Sequence, residues 1–453
     1  MIKNTLLPVA EFTQRREKFI EQMPTNSIAL IAAASEVTRS NDTEFPFCQN
    51  KNFYYLTGFN EPDAILAIVK GDNLTPEKSV LFSREKDSLQ EIWHGRRIGQ
   101  QQAVQDYQFD YCFTLAELEQ QLLPLIEGKS SVLFCYSNAS QEKDDFQQQI
   151  LSWITSIRKA NRAGAKAPTS LVDCSNIIHE MRLHKSAAEL DIMREVNLIS
   201  GEAHKRAMQA TKAGKFEYQI EAQLLHEFMI HGARYPAYGS IVAGGDNANI
   251  LHYTANDDRL NDGDLLLIDA GGELAGYAAD ITRTFPVNGK FTFEQKAIYQ
   301  LVLDSQNLAI NAIKPKQTLA ELNRLVCDFL TQGLYELDII KGELSTLIKQ
   351  RACKKYFIHG LGHWLGLDVH DVGDYHANSQ REQLRPFVNG MVMTIEPGIY
   401  IPLNDSSVDE KWRGIAVRIE DNILVTTNGY ENLTINTPKT IDDIEAIMAD
   451  LPE

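Results

Sequence analysis

The sequence predicts an α/β domain over residues 1–174 followed by an α+β domain over residues 175–453. Three observations carry this. Apolar strand-like runs alternate with amphipathic helical stretches in the first third. A small, polar and basic segment, Ala160–Pro168, then interrupts the pattern. Beyond it, long helical periodicities frame strands that end in acidic residues.

In the first third, strands are expected at Ser27–Ala33, Ala64–Val69, Ser79–Phe82 and Ser131–Cys135, and helices at Ala10–Gln22, Leu115–Leu125 and Ser140–Lys159. After residue 174 the segment Ile177–Leu183 leads to Ser186. With Glu189 three positions on, Ser186 has the form of a capping box that opens a helix reaching about Thr211. A second helix is expected over Phe216–His231. Leu265–Ala270 and Tyr277–Phe285 form a strand–turn–strand unit around Gly271-Gly272. Helices follow at Phe293–Ile313 and Leu319–Leu337, then strands at Met391–Ile395 and Ile415–Glu420. Ile268-Asp269-Ala270-Gly271 resembles Ile395-Glu396-Pro397-Gly398, and a second acid follows each segment, Asp280 and Glu420 respectively. Two related half-domains, each donating two carboxylates, would produce this weak repeat.

Composition narrows the partners. The formal net charge of −17 argues against nucleic acid and anionic membranes. No window approaches the length of a transmembrane helix, and no signal peptide is expected from the first residues. Six scattered cysteines without a CxxC pair fit reduced thiols in a cytoplasmic protein.

Asp269, Glu396 and Glu420 each terminate an apolar run, where an unpaired charge is costly unless it binds a metal. Asp280 lies eleven residues after Asp269 across the glycine pair, and a ribbon would bring the two together. His359 and His363 have HxxxH spacing. Position 360 is glycine rather than the glutamate of an HExxH zinc helix, so a loop is expected, with one imidazole as ligand and the other serving substrate. A lone histidine is more often structural, but His359, His363 and His370 fall within one short stretch. Four carboxylates and one imidazole match the charge of two divalent ions and favour Mn²⁺, or Co²⁺ or Zn²⁺, over a thiolate-type zinc site. A water shared by two such ions would be deprotonated near neutral pH, the nucleophile of a metallohydrolase.

In this order, the segments 231–253, 265–291, 359–373, 391–400 and 414–421 resemble the aminopeptidase P and prolidase family. Residues 43–64 and 92–99 extend the resemblance into the first domain. It implies a creatinase/prolidase-like first domain that shapes the active-site entrance and builds the oligomer, and a catalytic domain of the pita-bread fold. The implied reaction releases the first residue of peptides whose second residue is proline. Asp269, Asp280, His363, Glu396 and Glu420 would be the metal ligands, with Asp280 and Glu420 bridging. His252, His359 and His370 would contact substrate or the tetrahedral intermediate. Glu396 would shuttle a proton to the leaving nitrogen, and Arg418 would orient a ligand carboxylate. Tyr238 is expected near the proline site. Trp93 is expected either as an aromatic wall supplied by a neighbouring subunit, in a homo-oligomer that is expected to be a tetramer, or as a core or interface aromatic. Prolidase, with possible side activity on organophosphates, is the nearest alternative. A metal-free creatinase-like relative disagrees with the intact ligand positions, and a methionine aminopeptidase normally lacks such a first domain.

Overall fold

In the computed structural model, which describes residues 7–71, 76–136, 145–378 and 380–449, the apolar runs of the first third form one six-stranded mixed sheet. Its strands run in the order Tyr111–Thr114, Lys78–Ser83, Ile65–Lys70, Ser27–Ala32, Ser131–Phe134 and Ser170–Asp173. The four central strands are those expected from their continuous apolar character, because both of their faces are covered. The two edge strands, Tyr111–Thr114 and Ser170–Asp173, contain no fully buried residue and carry too little apolar pattern to be read from sequence. Helices Val9–Gln22, Leu118–Ile126 and Asp145–Lys159 occupy the expected stretches, although residues 140–144 of the last lie outside the described residues.

Two compact units divide between Arg182 and Leu183, beyond the expected boundary at 174. The helix Ser175–Leu183 accounts for the difference. Within the first unit, the Tyr55 hydroxyl donates to the Met181 carbonyl (3.0 Å) and Arg182 donates to Asn52 Oδ1 (2.7 Å). Ala160–Pro168 opens with a 3₁₀ turn and leads into an edge strand of the first unit, so it does not link the two.

The second unit opens as expected. Ser186 caps the helix Ala187–Ala210 in a capping box with Glu189, and the helix Glu217–Ile230 follows. Two strand pairs then repeat one plan. Leu265–Asp269 pairs antiparallel with Thr282–Pro286, and Val392–Ile395 pairs antiparallel with Asp421–Thr426. In each half one acid lies at the end of the first strand (Asp269, Glu396) and another lies just ahead of the second (Asp280, Glu420). The halves are joined where Glu420 N–H donates to the Thr282 carbonyl (3.1 Å) and the Thr284 hydroxyl donates to the Arg418 carbonyl (2.9 Å). Helices Phe293–Asn311 and Leu319–Glu336 close the core, which places Val302 and Leu330 with Ile268, Phe285, Ile395 and Ile419.

Gly271-Gly272 is not the turn. The chain reverses at Ala275-Gly276, both with positive φ (49° and 86°), in the small ribbon Gly272–Leu274/Tyr277–Ala278. Gly271 instead permits a close crossing, since a Cβ there would lie 1.8 Å from the Ala279 carbonyl oxygen. Gly362 does the same in the other half, where a Cβ would lie 2.0 Å from the Thr394 carbonyl oxygen.

Candidate metal centre

Both strand pairs deliver their acids to one cavity of about 370 Å³. Asp269, Asp280, His363, Glu396 and Glu420 all line it, and His252, His359, His370 and Arg418 complete much of its wall. Ligand atoms of Asp280, His363 and Glu420 lie within 4.8 Å of one another, the spacing of a shared cation. The segment 359–363 is irregular, as its glycines predict. It is laid along the Val392–Ile395 strand by bonds from Thr394 N–H to the His363 carbonyl (2.9 Å) and from Glu396 N–H to the Leu361 carbonyl (2.8 Å).

The candidate ligands are held from behind. The His363 Nδ1–H donates to the Trp364 carbonyl (2.9 Å), which aims Nε2 at Asp280 (3.3 Å) and Glu396 (3.5 Å). The Tyr238 hydroxyl lies 2.6 Å from Asp269 and 2.5 Å from Asp280, so the structure ties it to the carboxylates. Arg418 donates to Asp269 (2.6 Å), to the Thr282 hydroxyl (3.0 Å) and to the Tyr400 oxygen (2.8 Å). Thr282 in turn donates to Glu420 (2.6 Å). The Tyr400 oxygen also lies 2.8 Å from His359 Nε2, and His359 Nδ1–H donates to the Gly360 carbonyl (2.7 Å). Both nitrogens of His359 are therefore engaged within the protein. The His370 ring packs edge-on against His363, with centroids 4.2 Å apart. Thr282, Tyr400 and the cavity-lining Tyr375 were not legible as site residues, because each acts through partners remote in sequence. Trp93 belongs to the first unit. It is 76% exposed on a helix, Ser88–His94, that buries none of its residues, which excludes a place in the core of this chain.

Electrostatics show what the donor set requires. Burial, followed by repulsion from neighbouring carboxylates, pushes Asp280 and Glu420 above the usual carboxylate range, and burial lifts Glu396 to about 7. Burial pulls His363 down, but Asp280 and Glu396 outweigh it and hold the imidazole at about 9. Burial, then Arg418, lowers His359 to about 3 and keeps it neutral. Glu420 Oε1 is buried without a hydrogen-bond partner among the described residues. Clustered buried carboxylates whose charged forms are disfavoured by burial and by one another, with one oxygen orphaned, fit a divalent cation. Binding a cation must displace the His363 and Glu396 protons, so affinity is expected to rise with pH through about 7 and again towards about 9. Calorimetric titration of metal-stripped protein across that range would measure it. A pH-independent affinity, with no proton release, would contradict this account.

Fold and site together define a carboxylate-rich metallohydrolase built on two similar half-domains. The chain belongs to metallopeptidase family M24, which it matches over residues 191–427, and it carries the aminopeptidase P N-terminal domain over residues 12–134. It is 46% identical over 438 residues to the Xaa-Pro aminopeptidase of Escherichia coli (strain K12), covering 97% of each chain. The structure of aminopeptidase P from E. coli with the inhibitor Pro-Leu superposes with a TM-score of 0.93 at 45% identity, covering 98% of both chains. A zinc-substituted form of the E. coli enzyme in complex with product superposes at 0.94 and 45% identity, covering 99% of both. The catalytic unit therefore has the pita-bread fold of that enzyme.

Proposed function

We propose that the chain is a metallo-aminopeptidase that releases the N-terminal residue from peptides with proline in second position. The observation that carries this is the end-to-end match to Xaa-Pro aminopeptidase, which includes the first domain. In this reading Asp269, Asp280, His363, Glu396 and Glu420 would hold two divalent ions, Mn²⁺ by preference. When bound, the ions supply Lewis-acid polarisation of the scissile carbonyl and bring a water's pKa into the neutral range.

The chain's own residues do the rest. Arg418 fixes Asp269, and Tyr238 holds Asp269 and Asp280 at a set separation. Glu396, whose carboxylate lines the cavity, would take a proton from the attacking water and deliver it to the departing proline nitrogen. That nitrogen carries no N–H and its ring fixes φ, so a peptidase that reads the amide hydrogen fails on this bond. His252 and His370 line the cavity wall, and in this reading they would donate to the substrate and to the developing oxyanion. His359 can do so only by exchanging one of its two protein partners.

The six thiols are free, which suits a reducing cytoplasm. Among the described residues no helix is long and apolar enough to cross a membrane. Leu89, Ile92 and Trp93 project from a helix with no buried residue, which supports a homo-oligomer, read here as a tetramer. A monomeric mass by light scattering would contradict that assembly. The deciding experiment compares Xaa-Pro-Yaa tripeptides with Xaa-Pro dipeptides after metal stripping and Mn²⁺ reloading. Release of free Xaa from the tripeptide, with little dipeptide turnover, is expected. Preference for the dipeptide would make the chain a prolidase.

A further inference from the structure

We infer that Glu217, which the scheme above does not use, is the positioning residue for the stretch of cavity wall that carries Leu251 and His252. Its kinetic consequence rests on the aminopeptidase reading, while its structural consequence does not. Residues 245–258 leave the Ile241–Gly244 strand and contain only one short 3₁₀ turn, Gly245–Asn249. Leu251 and His252 line the cavity, and His252 is exposed together with Thr254 and Ala255. Within the loop the Ile250 N–H donates to the Asn247 carbonyl (3.0 Å) and the Tyr253 N–H to the Ile250 carbonyl (3.2 Å). Leu251 and Tyr253 pack on the small apolar cluster of Ile241, Ala243, Ala248 and Leu267. What ties the two ends of the loop together comes from outside it.

Glu217 is fully buried at the start of the helix Glu217–Ile230. Its two oxygens bracket the loop. Oε1 accepts from the Gly244 N–H (2.7 Å) and from Asn247 Nδ2 (3.1 Å) at the start. Oε2 accepts from the Tyr253 hydroxyl (2.8 Å) and from the Asp258 N–H (3.0 Å) at the end. The Glu217 N–H donates back to the Asp258 carbonyl (3.0 Å). Four donors saturate a carboxylate, so this one is spent inside the fold. Tyr253 is the neighbour of His252, so one of the four bonds acts a single residue from the imidazole.

A second tether starts one turn further along the same helix. Asn256, at positive φ (49°), donates to Glu221 (3.0 Å) and accepts from the Val242 N–H (3.0 Å). At Gly244 a Cβ would lie 2.8 Å from Leu260 Cδ2 and 3.4 Å from Glu217 Oε1, so the carboxylate sits directly on the strand. The helix is thus the template on which the His252 wall is set.

The test uses the full-length, metal-loaded protein with Glu217→Ala, Glu217→Gln, His252→Ala and the two double variants, on an Xaa-Pro-Yaa tripeptide. Glu217→Ala is expected to raise KM about tenfold, with kcat within roughly threefold of the parent. Glu217→Gln keeps one acceptor oxygen and is expected to fall between the two. In the His252→Ala background, either substitution at 217 is expected to add little, because the group it positions is gone. Hydrogen exchange of the 245–258 amides is expected to speed up while exchange elsewhere and metal content stay unchanged. Fully additive losses in the double variants, or unchanged exchange in the loop, would overturn the inference. If the parent protein cleaves no Xaa-Pro peptide, the proposed function fails alone and exchange still decides the role of Glu217. If Glu217→Ala does not fold, Glu217→Gln carries both readouts.

Discussion

Asp280→Asn is expected to lower kcat/KM for an Xaa-Pro-Yaa peptide on the order of 10³-fold, the scale on which metal-based charge stabilisation acts. Asp280 joins several of the interactions in the site. It lies 3.3 Å from His363 Nε2 and 2.5 Å from the Tyr238 hydroxyl, and it shares a cation-sized space with Glu420 and His363. An asparagine keeps the shape and the tyrosine contact but removes a formal charge from the donor set. Metal-free stability should move the other way. Burial, then Asp269, already disfavours the Asp280 carboxylate, so a neutral amide relieves repulsion in the stripped protein. The expected signature is lost activity and lost metal stoichiometry with an unchanged or raised melting temperature of the stripped form. Parent-like kcat/KM at saturating Mn²⁺ would remove Asp280 from the centre.

The largest stability effect is expected one residue from a ligand, at Asp421. Its carboxylate takes Arg283 (2.7 Å), Lys439 (2.6 Å), the Thr434 hydroxyl (2.7 Å) and Asn432 (3.2 Å). The Asp421 and Arg283 side chains are both 0% exposed. Asp421→Ala would leave the Arg283 guanidinium buried without its partner, at a cost of about 3–5 kcal/mol. Burial alone would raise the Asp421 carboxyl, but Arg283 and Lys439 outweigh it and hold it well below the usual carboxylate range. A depressed folded pKa stabilises the protein above the unfolded value of about 3.9, and that contribution is lost as pH falls towards the folded value. The Asp421 contribution is therefore fully present at neutral pH and fades only in strong acid. Urea denaturation of Asp421→Ala at neutral pH would measure it, and a loss below about 1 kcal/mol would show that the pair is dispensable. Arg283 also donates to the Glu420 carbonyl (2.6 Å), so the same variant should slacken a candidate metal ligand.

The acids that the fold gathers at the cavity were legible because a carboxylate at the end of an apolar strand is rare without a function: Asp269 and Glu396 occupy that position, while Glu420 lies between two strands, just ahead of Asp421–Thr426. The capping box at Ser186 and the central strands were legible for similarly local reasons. What escaped depends on distant partners. Nothing near Arg283 in sequence announces Asp421, and nothing near Tyr400 announces Arg418 or His359. Glu217 looks like an ordinary first-turn acid until the loop folds back over it. The glycine pair misled because glycine marks turns and close crossings alike, and only the paired strand distinguishes them.

Gly271 and Gly362 set the tolerance of the whole centre. A methyl group at either would have to move a carbonyl of the opposing backbone by roughly 1 Å, while metal–ligand distances hold to about 0.2 Å. The two half-domains can therefore accept many changes in their helices and loops, yet neither can gain a single carbon at its crossing point. The gauge that keeps four carboxylates and an imidazole in register is the absence of two side chains.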